Sequence, residues 1–177
     1  MTALDGGFVR LRRAEARDVD FLLALVTHDE VEPFLAAVSS KNRDSLLEEI
    51  ERSQNVPHRF GRLIIEVDGE RAGVMGYELV NERSRIANLE ALAVHPDFRG
   101  RRLADEAARV LQRHLIFDLD FHRLQLEIYG FNERAIQHAE RAGFVREGVK
   151  RKAYWRRGEW VDGILFGLVR EDLEPGA

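Results

Sequence analysis

The stretch Asn88-Leu89-Glu90-Ala91-Leu92-Ala93-Val94-His95-Pro96-Asp97-Phe98-Arg99-Gly100-Arg101-Arg102-Leu103-Ala104-Asp105-Glu106-Ala107 decides the fold of this chain. An apolar strand runs to Val94, and His95-Pro96-Asp97 break it. A turn rich in glycine and arginine then opens a helix whose apolar positions fall at Leu103, Ala107, Val110 and Leu111. A helix start therefore faces whatever lies beyond a strand end. The first amides of a helix have no intrahelical partner and sit at the positive end of its dipole, so this junction is suited to an anion. Arg99, Arg101 and Arg102 strengthen it.

Downstream, the helix is expected over residues 103–117, followed by a strand over 123–129 in which apolar and polar residues alternate. Strand, helix and strand in that order make a right-handed crossover and a parallel pair. Asn132 is placed to cap the next helix. Ala135, Ala139 and Ala142 give that helix a narrow face, and Gly143 stands where its end calls for positive φ. Residues 149–155 and 160–170, on either side of a turn at 156–158, read as a terminal hairpin. Pro175, Gly176 and Ala177 are expected to fray.

Upstream, residues 8–12 alternate as a strand, and Asp18 is expected to cap a helix over 19–26. A second helix fits 44–52, after Pro33 and Phe34. Strands over 59–67 and 71–79 flank the turn Asp68-Gly69-Glu70, and 86–94 completes an antiparallel meander. The expected fold class is α/β with a mixed sheet: a meander, a parallel β-α-β crossover and a C-terminal hairpin. No repeat or linker divides it, so residues 1–177 are expected to form one domain.

The chain has 177 residues, 45% hydrophobic and 33% charged, which are ordinary globular values. With no cysteine it has no disulfide, thiolate metal site or cysteine nucleophile. A net charge of -4 argues against a globally basic nucleic-acid binder. No apolar run reaches membrane-spanning length and the first residues do not resemble a secretory signal, so the expectation is a cytoplasmic protein without membrane partners. His28, His58, His95, His114, His122 and His138 share no ligand spacing, and no nucleophile elbow is present. Neither a metal nor a covalent enzyme intermediate is expected.

Arg99-Gly100-Arg101-Arg102-Leu103-Ala104 resembles the Arg/Gln-x-x-Gly-x-Gly/Ala pyrophosphate loop of the GNAT superfamily of acetyl-CoA-dependent N-acetyltransferases, with Arg102 in place of the central glycine. Asn132-x-x-Ala135, Gly143-Phe144, Glu147-Gly148, the His122-Arg123 opening, Arg151, Gly158 and Asp162 are similar to its RimJ/RimL-like branch. This resemblance covers roughly the last half of the chain, and the first eighty residues match only in rhythm.

The resemblance implies direct acetyl transfer from acetyl-CoA to a primary amine, chiefly the N-terminal α-amine of a protein or peptide. The alternatives are a polyamine or aminoglycoside acceptor, or a catalytically silent CoA-sensing module. It puts the pantetheine arm along the backbone of Leu92, Ala93 and Val94, and the pyrophosphate on Arg99, Gly100, Arg101, Arg102, Leu103 and Ala104. Glu90, which shares its strand face with Asn88, becomes the general base; read without the family it is a solvated or salt-bridged carboxylate. Asn132 contacts pantetheine or orders a water, or is a plain cap. The family's usual tyrosine acid falls at Ala139, leaving Tyr129 and Tyr154 as substitutes or as ordinary strand aromatics. Trp155 and Trp160 would suit a homodimer contact or a pocket wall.

Overall fold

The strand run Phe60-Gly61-Arg62-Leu63-Ile64-Ile65-Glu66-Val67 is apolar on both faces because helices cover both sides of the sheet it sits in. The computed structural model describes residues 3–35 and 42–173. In them, strands β1 (Leu4–Gly6) and β2 (Val9–Arg13) lead to helix α1 (Val19–Val26) and helix α2 (Arg43–Asn55). Strands β3 (Phe60–Val67), β4 (Glu70–Asn81) and β5 (Ile86–Val94) follow, then helix α3 (Leu103–Arg113) and strand β6 (Arg123–Tyr129). Helix α4 (Glu133–Arg141) and strands β7 (Val145–Arg156) and β8 (Glu159–Val169) complete the order. The sheet runs β1-β2-β3-β4-β5-β6-β8-β7, antiparallel throughout except for β5 with β6.

On one face, Leu63, Ile65, Met75 and Tyr77 pack with Leu103, Ala107 and Leu111 of α3. On the other, Ile64, Val74 and Ala93 pack with Leu22 and Leu25 of α1 and Leu46 and Ile50 of α2. The expected α/β class, meander, crossover and terminal hairpin are all present. Among the described residues no helix is long and apolar enough to cross a membrane.

Four local expectations need correction. Strand β1 was not anticipated, since three residues beside a Gly-Gly turn carry no readable period. Strand β7 starts at Val145 rather than 149, with bulges that interrupt its alternation. The α-helix expected to run to 117 ends at Arg113 and continues as a π-helical turn over His114–Asp118, where the Leu119 amide donates to the His114 carbonyl. The wider turn buries His114, Leu115 and Ile116 in succession. The expected fraying of Pro175, Gly176 and Ala177 lies outside the described residues.

The fourth correction concerns Asp18, which occupies the N-cap position of α1 without capping it. A 3-10 turn over Ala16–Asp18 carries its side chain back to the sheet, where it is 0% exposed. There it accepts from Arg12 at 2.6 and 2.9 Å and from the Glu15 amide at 2.8 Å, and it pairs with Arg71 at 3.0 Å. Two arginines outbid a helix cap. Burial pushes the carboxyl up, but the hydrogen bond from Arg12, the Glu15 amide and the Arg71 charge together hold it below its ordinary value.

A carboxyl depressed in the folded state contributes stability that is fully present above its unfolded pKa, about 3.9, and is lost as pH falls through the folded value. Asp18→Asn is therefore expected to lower unfolding free energy at neutral pH by about 3–5 kcal/mol, because it strands a buried cation. The variant should also show a shallower loss of stability below about pH 4, read by urea melts across pH.

Candidate active site

Strands β5 and β6 pair at three positions, Ile86 with Arg123, Ala87 with Leu124 and Asn88 with Gln125. Beyond Asn88, β5 stays bonded to β4 as far as Val94 with Gly73, and β6 stays bonded to β8 as far as Tyr129 with Gly163. The two strands separate, and the facing backbone edges of residues 89–94 and 126–129 have no ladder partner in each other. A bulge lies at the start of this opening. Gly76 pairs with Glu90 and Val74 with Ala93, so Ala91 and Leu92 together oppose Met75, and Ala91 takes φ +55°.

The bulge changes which face each side chain meets. Ala87 and Leu89 pack in the α3 core before it, whereas Leu92 and Val94 do so after it and Ala93 turns to the α1/α2 side. A non-glycine residue at positive φ costs on the order of 1–3 kcal/mol, a strain that collects at functional sites.

Glu90 lies on the α1/α2 face, half-buried, and accepts from Arg62 Nη2 at 3.2 Å. The same nitrogen forms an ion pair with Glu49 of α2 at 2.8 Å. Arg62 is only 4% exposed, and its Nε and Nη1 have no hydrogen-bond partner among the described residues. Gly76 makes room for it: an added β-carbon there would come within 2.7 Å of Arg62 Nη1 and of the Gly61 carbonyl. Arg62 was not singled out from the sequence, although a basic residue inside a largely apolar strand run was a usable signal.

Past Val94 the chain makes a 3-10 turn over Pro96–Phe98 and enters α3 through Gly100 at φ +81° and Arg102 at φ +56°. Among the described residues no side chain caps α3, so the first amides of the helix are available. Leu103 is buried beneath the turn, Ala104 is half-buried, and Arg101 and Arg102 are exposed, with Arg101 over the Phe98 ring at 5.6 Å. Arg99 instead reaches Glu30, at 2.6 Å to its carboxylate and 3.1 Å to its carbonyl. In the first turn of α3, Asp105 bonds His138 and Arg141 of α4. Burial raises this carboxyl, but Arg141 and His138 outweigh burial and hold it below its ordinary value.

Asn132 caps α4, its Oδ1 accepting from the Ala135 amide at 3.2 Å, which leaves the side-chain amide as a donor. Gly143 takes φ +89° at the end of α4, as its position required. Tyr129, at the end of β6, stacks on Phe131 at 5.5 Å and meets Tyr154 edge-on at 5.3 Å. Burial, then the neighbouring Glu127 carboxylate, raises the Tyr154 phenol, making it a weaker proton donor. Trp155 and Trp160 are 57% and 58% exposed and pack edge to face. Among the described residues no group of three His, Asp or Glu side chains is arranged around a metal position.

A splayed parallel pair, a bulge and a basic helix start at the mouth come together on a mixed sheet, and they form the candidate site. Residues 9–145 match the acetyltransferase (GNAT) domain, and the chain belongs to that family. It is 35% identical over 83 residues to YokL, an SPbeta prophage-derived uncharacterized N-acetyltransferase of Bacillus subtilis, covering 47% of each chain. It is 28% identical over 109 residues to the spermidine N(1)-acetyltransferase of Escherichia coli, covering 62% of this chain and 58% of that one. The chain thus spans about half the length of the curated relatives it matches.

Among solved structures, the spermidine N-acetyltransferase of Vibrio cholerae in complex with CoA and spermine superposes with a TM-score of 0.84 at 19% identity, over 93% of this chain and 97% of that one. RimL, a ribosomal L7/L12 alpha-N-protein acetyltransferase in complex with coenzyme A, gives 0.83 at 19% identity, over 94% and 97%. Similarity at that level shows a shared fold.

Arg102 holds a left-handed backbone that glycine adopts without steric cost. Arg102→Gly is therefore expected to leave the fold intact and to raise unfolding free energy by up to about 1 kcal/mol, measured by denaturant titration.

Proposed function

We propose that this chain transfers an acetyl group from acetyl-CoA to a primary amine, and that the amine is the N-terminal α-amine of a peptide or protein. The observation that carries the reading is the opening between β5 and β6, which leads to the uncapped, basic start of α3. The residues there fit the cosubstrate. Arg101, Arg102 and the amides of Leu103 and Ala104 supply charge and N–H donors for a pyrophosphate, around a turn in which Gly100 keeps the backbone open. Arg99 joins them by exchanging its bond to Glu30. The free edge along Leu92, Ala93 and Val94 supplies backbone partners for the amide groups of a pantetheine arm.

Bound acetyl-CoA supplies an acetyl thioester, a carbonyl electrophile with a thiolate leaving group. Amides on the open edge of β5 donate to the carbonyl oxygen as it gathers charge. Glu90, held by Arg62, takes the proton of the incoming ammonium directly or through a water. The Asn132 side-chain amide steadies pantetheine or that water. The neutral amine then bonds to the carbonyl carbon and the C–S bond breaks; with Ala139 at the family's tyrosine position, the sulfur, whose thiol has an ordinary pKa of about 8.5, leaves as thiolate and takes a proton from solvent, to which the nitrogen gives up its second proton.

A peptide α-amine, with pKa about 7.7–8.0, offers far more neutral amine at pH 7 than a lysine-like amine at about 10.4. That suits a site with one carboxylate base. The relative named for spermidine supports a polyamine acceptor as the second reading. A cytoplasmic location and a homodimer through the Trp155–Trp160 tip belong to the same reading, supported by the absence of cysteine and by the exposure of both rings.

Thiol release from acetyl-CoA, measured with a peptide, spermidine and an aminoglycoside, tests the assignment. The peptide is expected to be fastest, and preference for spermidine would overturn the α-amine. In single-turnover runs, Glu90→Gln should slow transfer about 100-fold near pH 7 and recover toward wild type as pH rises and the amine deprotonates unaided. Equal rates for variant and wild type at every pH would remove Glu90 from the role. Replacing both Arg101 and Arg102 with Ala should weaken acetyl-CoA binding and flatten its salt dependence, read by calorimetry.

A further inference from the structure

The mouth of the strand gap carries a feature that the transfer chemistry does not use. From the end of β6 the chain passes through Tyr129, Gly130 and Phe131 into Asn132, and Phe34 of the 3-10 turn Glu32–Phe34 packs on Phe131 at 6.0 Å. Three arginines from the terminal hairpin and α4 lie over these rings. Arg157 stands 5.2 Å from Phe34 and 4.8 Å from Phe131, Arg156 stands 5.0 Å from Tyr129, and Arg134 stands 5.9 Å from Phe34. Arg156 is tied down by a hydrogen bond to the Leu35 carbonyl. Arg134 and Arg157 are exposed, and among the described residues neither pairs with a carboxylate, although Glu133 and Glu32 adjoin the cluster in sequence.

Guanidinium groups gathered over one aromatic patch repel one another, and ring stacking offsets this only in part. An arginine lying on a ring still turns its N–H edge outward, where it receives a carboxylate in a two-pronged bond. A polycation is repelled from the same rim.

We infer that this arginine-on-aromatic rim receives carboxylates of the acceptor, so that the acceptor is a peptide whose free amino terminus is followed within a few residues by Asp or Glu. The inference rests on the transferase reading above and narrows it. The amine enters toward Glu90 while the following residues, extended at about 3.3 Å each, cross the rim. Complementary charge there raises encounter rate and selects against basic sequences.

The test uses the full chain and two peptides with the same first residue, one with Asp and Glu at positions two to five and one with Lys there, together with spermidine. Thiol release and fluorescence-anisotropy binding of labelled peptides in the presence of CoA are read together. The acidic peptide is expected to exceed the basic one about tenfold in kcat/KM, and the ratio should fall toward one at high salt. The same fall is expected in Arg134→Gln/Arg157→Gln, chosen because both side chains are exposed and the fold does not depend on them. Turnover with equal or better use of the basic peptide would overturn the inference alone, as would an acidic preference that survives the double substitution, whereas preference for spermidine over both peptides would overturn the α-amine reading together with it. Selective binding of the acidic peptide with no acetylation of any amine would retain the rim's role and overturn the transferase reading.

Discussion

The structure turns on one constraint: β5 stays bonded to β4 along its whole length while leaving β6 after three residue pairs. A twisted sheet cannot satisfy both neighbours of a strand once those neighbours diverge, so one edge of β5 gives up its ladder. The bulge at Ala91 and Leu92 absorbs the mismatch by adding a residue and increasing the local twist. It also resets the side-chain parity, which places Leu92 and Val94 under α3 and Ala93 under α1 and α2. Backbone groups that would have been consumed by a regular sheet are left facing a gap, and the helix after β5 starts at its mouth.

Buried charge accompanies that opening. Asp18 ties β2 and β4 to the start of α1 through Arg12 and Arg71, and Arg62 ties β3 to Glu90 of β5 and to Glu49 of α2. Each costs desolvation, and each is repaid only while its geometry holds. These clusters fix the α1/α2 layer against the sheet. Residues 28–35, after α1, are likewise held at two points, by Arg99 on Glu30 and by Arg156 on the Leu35 carbonyl. The Arg99 turn, the 3-10 turn at Glu32–Phe34 and the terminal hairpin are therefore tied to one another.

Element by element, the legible parts were those governed by local chemistry. The turn Asp68-Gly69-Glu70, the Asn132 cap, the positive φ of Gly143 and the strand–turn–helix run from Asn88 to Ala107 follow from short-range rules. Asp18 misled because a capping residue at a helix start has the same sequence appearance whether or not arginines from β2 and β4 compete for its carboxylate. The π-helical turn after Arg113 was hidden because its cause, the burial of three successive residues against the sheet, is tertiary.

By itself the sequence determined the α/β class, the order of the elements from β2 to β8 and the basic helix start, because hydrophobic period, caps and turn residues act over a few positions. Only the tertiary structure decided where β5 leaves β6, that Ala91 carries the bulge, and that Arg62 meets Glu90 and Glu49. It alone brought Phe34, Phe131 and Arg157 together from three distant segments. Those relations are contacts across long chain separations, set by sheet twist and by the competition of charges for partners, and no local pattern in the chain encodes them.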